Sequence, residues 1–211
     1  MEDSSSWLRN IEARVEEREH GLKAEREALE NKFKEQRSKF LEDLRDALQK
    51  VMKFRENGNL RQVDEYLERI HNLNERFTKF RYEAEKLNEK EEMLGWEFTE
   101  FEDLKEAITK LQPYSTLWNL VFDFNKSHFQ WTRGPLFSLH PDQIEEVVNQ
   151  MAKTVSGLID VFDKQTAPSP KAAAEHVADQ IEKFKGHLAL VHAVDLFPLA
   201  LLSAACLIPR V

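Results

Sequence analysis

The sequence has few of the residues that form disulfides, tight turns or membrane spans. Its single cysteine, Cys206, has no partner for a disulfide within the 211 residues, which is typical of a reducing compartment such as the cytosol. Its six glycines include no G-x-x-x-x-G-K phosphate loop, so no nucleotide site is visible. The polar N-terminus lacks the apolar core of a signal peptide. The apolar stretch 196–208 is shorter than the roughly 20 residues that cross a bilayer, so no membrane anchor is expected.

Proline and charge are unevenly distributed along the chain. All seven prolines lie at position 113 or later, and residues 1–112 hold 22 of the 30 Lys and Arg and 28 of the 38 Asp and Glu. A charged, proline-free half favours long exposed helices, whereas the second half has the composition of a packed unit. The net charge of −8 argues against general binding to nucleic acid or to an anionic membrane surface.

Apolar residues recur every seven positions in the second quarter of the chain. This pattern predicts one continuous helix over 60–112 that packs against another helix. Glu91 falls on the same face, so packing is expected to be imperfect there. The repeat consists of Tyr66, Leu73, Phe80, Leu87, Leu94, Phe101 and Ile108, with Val63, Ile70, Phe77, Ala84 and Phe98 at the partner positions.

A first long helix is predicted over 7–55. Its seam begins with Leu8, Val15, Leu22 and Leu29, with Ile11 between, then shifts by four to Phe33, Phe40, Leu44, Leu48 and Val51. Such a shift locally unwinds a supercoil. A turn is predicted at 57–59, because Gly58 can adopt positive φ. We expect the two helices to form an antiparallel hairpin. A parallel dimer is the alternative, because glycine inside a helix costs only about 1 kcal/mol.

Three shorter amphipathic helices are predicted after the hairpin. Pro113 is expected to end the second helix or to open the next one. Another helix is expected to open at Pro141, and Ser169 is expected to cap the last one at Pro170. With no strand pattern present, the fold class is all-α, with long antiparallel coiled-coil-like helices followed by a small helical bundle. The helical stripes are Leu117, Val121, Phe124 and Trp131, widened by Trp118 and Phe122; Ile144, Val148, Met151, Val155, Leu158 and Phe162; and Val177, Ile181, Phe184, Leu188 and Val191.

The residues offer no arrangement typical of catalysis or metal binding. The seven histidines are dispersed, and His187 and His192 are five positions apart, so they do not share a helical face. The acidic run 89–92 is interpreted as a solvated helix face. We therefore expect no enzymatic activity, no cofactor and no metal.

An ordered set of segments carries a resemblance to a known family. These are LQPYSTLW at 111–118, WTRGPL at 131–136, IEEV at 144–147, MAK at 151–153 and IEKFKGHLAL at 181–190. In this order and spacing they resemble the start of the linker region of dynein heavy chains, most closely the axonemal branch, over about 95–194. The charged helices before them are similar to the stretch between the tail and the linker.

The resemblance implies a mechanical role. In that family the linker is a helical rod over a ring of ATPase modules, and it carries the ring's nucleotide-driven change to the tail. The implied location is the ciliary axoneme, and the implied partners are other heavy-chain regions and dynein intermediate and light chains; coiled-coil self-association is also left open. Tryptophans of this kind most often belong to a core. The candidates for structural or partner contacts are Tyr114, Trp118, Trp131, Gly134, Pro135, Ile144, Met151, Phe184 and Leu188.

The resemblance also gives a division of the chain. We expect a long charged helix over 1–58, a heptad helix over 59–112, a linker-like domain over 113–194 and an apolar tail over 195–211 outside the family pattern. That departure suggests a truncated or alternatively spliced product, or an incomplete gene. The competing interpretation is an autonomous coiled-coil scaffold or tether.

Overall fold

The protein is built from five α-helices in the part of the chain that its structure, a computed structural model, describes. The backbone is described over 2–133 and 140–205, and the side chains at 7, over 9–133 and over 140–188. Within these ranges there is no strand, so the all-α prediction is confirmed. The helices are α1 (Glu2–Lys53, followed by a 3-10 turn at Phe54–Glu56), α2 (Val63–Leu94), α3 (Glu102–Arg133), α4 (Pro141–Lys164) and α5 (Pro168–Ala205).

The chain divides into two compact units, each made of two stretches. Unit 1 comprises 1–46 and 80–100, and unit 2 comprises 47–79 and 101–211. In unit 1 the rings of Phe40 and Phe80 meet edge to face at 5.6 Å, and Lys90 Nζ donates to Gln36 Oε1 at 2.8 Å. Because lower numbers on α1 meet higher numbers on α2, the two helices run antiparallel there, as in the hairpin we expected. A coiled-coil supercoil remains a prediction.

The seam predicted for the first part of α1 is not buried. Val15, Leu22 and Leu29 are 50%, 60% and 64% exposed, whereas Phe33 and Phe40 are buried. The expectation that one seam is covered along the whole helix is therefore wrong. The reason is the length of α2, which ends at Leu94, so it lies against α1 only from about Phe33 onward in unit 1.

The predicted continuous helix over 60–112 is also wrong, because α2 and α3 are separate. Gly95 has φ of +68°, its N–H donates to the Glu92 carbonyl at 3.0 Å, and the Trp96 N–H donates to the Glu91 carbonyl at 2.8 Å. This pair of bonds is a Schellman motif, which ends a helix at a left-handed glycine. Phe98, expected on the seam, is 69% exposed in the loop that follows.

The turn after α1 lies where it was predicted, but for a different reason. Gly58 does not have positive φ. Instead, a Cβ at Gly58 would lie 2.6 Å from the Ser169 carbonyl oxygen. Only glycine leaves room for this approach of two backbones in unit 2.

Two predicted helix boundaries near prolines are corrected. Pro113 lies inside α3 and not at an end, even though its ring nitrogen cannot donate to the carbonyl of Thr109. The last helix begins at Pro168, where the Lys171 N–H donates to the Ala167 carbonyl at 3.1 Å. Ser169 is therefore in the first turn and does not precede it. Pro141 opens α4 as predicted.

The predicted apolar stripes of α3, α4 and α5 form most of the core of unit 2. α5 packs against α4, α3 and the 3-10 turn. Exceptions are Met151 and Trp131, which are partly exposed, and Phe122, which is 41% exposed. Val191 lies outside the described side chains. The buried members are Leu117, Trp118, Val121, Phe124, Ile144, Val148, Val155, Leu158, Phe162, Val177, Ile181, Phe184 and Leu188.

Candidate functional site

The candidate residues of α3 lie in a buried aromatic cluster. Tyr114 is sandwiched by Phe54, at 5.8 Å between ring centroids, and Phe162, at 5.4 Å. Trp118 packs against Tyr66 with ring centroids 4.6 Å apart. The cluster thus joins the 3-10 turn, α2, α3 and α4 within unit 2. Tilted aromatic pairs of this kind contribute about 0.5–1.5 kcal/mol each beyond area burial.

Burial affects polar atoms of two residues in this cluster. Burial raises the pKa of the Tyr114 hydroxyl, and the nearby charge of Arg55 opposes that shift. Trp118 is fully buried, and its Nε1–H has no hydrogen-bond partner. An unpaired buried donor is unfavourable by about 1–3 kcal/mol, so the apolar surface of the indole must outweigh that cost.

A second aromatic cluster joins the end of α3 to α5. Trp131 stacks on Phe184 with centroids 5.1 Å apart and planes inclined by 22°. His128 meets the same ring edge-on at 5.3 Å and also contacts Phe124 at 5.6 Å. Phe184 is therefore held on two sides by residues one turn apart on α3.

The remaining candidates serve packing or lie outside the description. Ile144 and Leu188 are buried, and Met151 is partly exposed. Gly134 and Pro135 lie outside the described residues, as does the turn predicted for them. The structure therefore brings Tyr114 and Trp118 into one cluster and Trp131 and Phe184 into another, and it presents none of these four as a free docking surface.

Sequence reasoning missed a polar clasp between two turns of unit 2. Arg55 Nε donates to the Thr166 carbonyl at 2.8 Å, and Arg55 Nη2 donates to Thr166 Oγ1 at 2.6 Å. Thr166 has φ of +51°, an uncommon conformation for a β-branched residue. Beside it, the partly exposed Lys171 ammonium pairs with Asp163 at 2.5 Å and lowers the pKa of that carboxyl. The clasp holds the end of α4 against the 3-10 turn.

A buried carboxylate organises the loop of unit 1 that follows α2. Glu91 is 1% exposed and accepts bonds from the Thr99 N–H at 2.8 Å and the Thr99 hydroxyl at 2.7 Å. Arg37 Nε lies 3.5 Å from the carboxylate, and Arg37 Nη2 donates to Thr99 Oγ1 at 3.0 Å. Glu91 therefore accepts hydrogen bonds from the backbone and side chain of the loop. The expectations of imperfect packing and of a solvated helix face at this position are both wrong. The place of Glu91 on the apolar seam was the available signal.

The remaining classes of site are a metal centre and a membrane span. Across the described residues, no three or more His, Cys, Asp or Glu side chains come together in a way that could hold a metal ion. No helix of that part of the chain has the length and apolar character needed to cross a membrane.

Comparisons with known proteins agree with the predicted resemblance. Residues 104–195 match the model of the family described as dynein heavy chain, N-terminal region 2. Dynein axonemal heavy chain 3 of Mus musculus is 32% identical over 130 residues, which cover 60% of this chain and 3% of that relative. Dynein axonemal heavy chain 12 of Homo sapiens is 20% identical over 178 residues, covering 82% and 6%.

A third similar protein is also an axonemal dynein heavy chain. Dynein axonemal heavy chain 1 of Mus musculus is 25% identical over 107 residues, covering 51% of this chain and 2% of its own length. The chain thus spans only 2–6% of these three relatives. No solved structure matches it significantly. The resemblance predicted from the residues is confirmed: the chain is similar to axonemal dynein heavy chains, and its residues 104–195 match the model of dynein heavy chain, N-terminal region 2.

Proposed function

We propose that this chain is a non-catalytic mechanical piece of an axonemal dynein heavy chain, linking the motor ring to the tail in ciliary or flagellar movement. The observation that carries the proposal is the family match over 104–195, which falls on α3, α4 and the first part of α5. Aromatic clusters join α3 to α4 and to α5.

The packing of these helices supports a mechanical role. A displacement is transmitted only by an element whose parts do not slip past each other. Sliding α3 along α5 would separate Trp131 from Phe184, and sliding α3 along α4 would separate Tyr114 from Phe162. Interlocked rings resist both movements, because packed interiors deform in discrete steps and not continuously.

The chain is proposed to hydrolyse no ATP by itself. It has no G-x-x-x-x-G-K loop, and the family segment that it matches is an N-terminal region of the heavy chain. Its proposed partners are other heavy-chain regions and the intermediate and light chains of dynein, and its proposed location is the axoneme. A phosphate-release assay should give the buffer background; turnover above background from the purified chain would contradict this part of the proposal.

The decisive test is binding of the purified chain to an axonemal dynein motor ring. We expect co-elution in size-exclusion chromatography. Phe129 of α3 is 59% exposed with the Arg133 guanidinium over its ring, so Phe129→Glu should weaken co-elution without changing helix content. Tyr82→Glu, at a 62% exposed position of α2, is the matched control. Separate elution of ring and wild-type chain would contradict a linker role.

A second candidate function is favoured by one observation. The apolar seam of α1 at Val15, Leu22 and Leu29 is exposed, as expected for an autonomous coiled-coil scaffold or tether. Such a protein would bind another helix through this seam and would not bind the motor ring. A transcript that continues elsewhere into the ATPase modules of dynein would favour the motor fragment over the tether.

A further inference from the structure

An uncovered apolar stripe runs along the first part of α1 in unit 1. It consists of Trp7 (64% exposed), Ile11 (41%), Val15 (50%), Leu22 (60%) and Leu29 (64%). The stripe continues directly into Phe33, which is buried against the ring of Trp96 at 5.3 Å. It therefore extends an interface that is already formed between α1 and the loop that follows α2. An exposed apolar stripe on so charged a helix marks an interaction surface.

A groove lies where the stripe meets the end of α2. Its apolar walls are Leu29, Phe33, Met93 and Leu94, and its volume is about 420 Å³. Met93 is 84% exposed. The groove is therefore positioned to receive a large apolar side chain from a helix that lies along the stripe.

Charged residues on the same seam restrict what that helix can be. If Val15, Leu22 and Leu29 occupy the a positions of a heptad, the d positions are Ile11, Arg18, Glu25 and Lys32. A second copy in parallel and in register would place the last three of these against themselves. Three consecutive layers of like charge disfavour that arrangement.

We propose that the stripe binds a second copy of this chain in antiparallel orientation. In antiparallel pairs a positions face d positions, so Ile11 meets Leu29 of the second copy, and Leu29 meets its Ile11. Arg18 then faces Leu22, and Val15 faces Glu25, so no charged d residue faces another residue of the same charge. The aliphatic parts of these charged side chains lie along apolar side chains of the second copy. The interface is isologous, with each copy offering the same surface.

Other residues of α1 also follow from this register. Trp7 comes opposite Phe33 of the second copy, beside the groove at Leu29 and Met93. Glu12 comes beside Arg26 of the second copy, and this pairing of opposite charges occurs twice, whereas Glu19, midway between them on the same face, comes beside Glu19 of the second copy. Gly21 lies next to the twofold axis, where no atom of its own chain is within 4 Å of an added Cβ. The glycine is thus not required by the packing of unit 1, and it allows two helices to approach closely.

The affinity of the full chain for itself tests the surface. Sedimentation equilibrium should show a monomer–dimer equilibrium, and Leu22→Glu should raise the dissociation constant by at least about tenfold, since two buried leucines are lost per dimer. Ala13→Glu adds the same charge to the opposite face and should change it less than about threefold. Both positions are exposed, so helix content stays unchanged. A wild-type chain that is monomeric at about 100 µM, or equal effects of the two variants, would overturn the proposal.

Disulfide trapping tests the orientation. In a Cys206→Ser background, an Ile11→Cys chain mixed with a Leu29→Cys chain should give mainly the mixed dimer on oxidation. A parallel pair would instead join two Ile11→Cys chains and would overturn the antiparallel register. A monomeric chain whose stripe binds a helix of a dynein intermediate chain would overturn the choice of a second copy. Neither result affects the proposed binding to the motor ring, which is measured separately.

Discussion

Gly58→Ala is expected to destabilise unit 2, because the turn after α1 touches the start of α5 at this position. The added Cβ would lie 2.6 Å from the oxygen, 2.9 Å from the carbon and 3.0 Å from the Cβ of Ser169. Two of these three atoms belong to the backbone of α5, so relief requires movement of a helix or of the turn.

The expected cost follows from two opposing effects. Overpacking of this kind destabilises proteins by about 1–3 kcal/mol. Alanine also reduces the entropy of the unfolded chain, which returns about 0.4–1 kcal/mol. We therefore expect a net loss of about 1–2 kcal/mol in the free energy of unfolding. With a urea m value of about 2 kcal/mol/M, this lowers the midpoint by about 0.5–1 M.

The measurement is urea denaturation followed by circular dichroism, with Gly157→Ala as the matched control. Gly157 lies in α4, and an added Cβ there would have no atom within 4 Å. That variant should gain about 0.5–1 kcal/mol, because alanine favours the helix interior over glycine. If Gly58→Ala is as stable as wild type while Gly157→Ala gains stability, the close approach of the two backbones is refuted.

Three other variants test the remaining features. Phe80→Asp buries a charge in unit 1 and should lower the melting temperature in circular dichroism, whereas Tyr82→Asp at an exposed site of α2 should not; equal melting would contradict the packing. Glu91→Ala should lower the free energy of unfolding by about 1.5–3 kcal/mol and speed hydrogen exchange of the Thr99 amide. Unchanged protection of that amide would show that Glu91 does not hold the loop after α2. Since burial raises the pKa of Tyr114 above its ordinary value of 10.0, the unfolded state ionises first and stability falls above about pH 10. Tyr114→Phe, but not Tyr82→Phe, should reduce the loss in urea midpoint between about pH 9 and pH 11; no reduction would show that Tyr114 is not desolvated.

Apolar spacing predicted the helical character of the chain and most of the buried faces correctly. Tyr66, Leu73, Phe80 and Leu87 are buried along α2, because a repeat of seven keeps the same face toward a neighbour. The same spacing could not show where a seam loses its partner. Leu22 and Phe40 belong to equally regular runs, yet only Phe40 has α2 beside it. Burial depends on the length of the other helix, which the pattern on α1 does not contain.

The break between α2 and α3 was missed because the heptad continues across it. Leu94 and Phe101 are seven positions apart, but Leu94 ends α2 and Phe101 precedes α3. The local signals were Gly95, which is suited to a left-handed helix end, and Glu91, an acid on an apolar seam. Together they indicate a cap; each alone is compatible with a continuous helix. Pro113, by contrast, suggested a helix boundary where none exists, because it lies inside α3.

The polar contacts that hold the turns of unit 2 were beyond sequence reasoning. Arg55 and Thr166 are 111 positions apart, and neither lies in a local motif. The same is true of Gly58 and Ser169, whose approach depends on the placement of two turns. The family resemblance selected the candidate residues but did not show what their side chains contact. Trp118 and Phe184 contribute to packing, because their rings are covered by other helices of unit 2.

The distribution of aromatic contacts indicates which movements this part of the chain resists. Phe54, Tyr114 and Phe162 stack in series, so α4 and the 3-10 turn are both fixed through one residue of α3. Phe184 is fixed by two residues of that helix, His128 and Trp131. Displacing α3 therefore requires both clusters to open, and each ring pair adds about 0.5–1.5 kcal/mol to that barrier. A helix held at two places along its length would transmit rotation as well as translation, which the proposed mechanical role requires and a flexible tether does not.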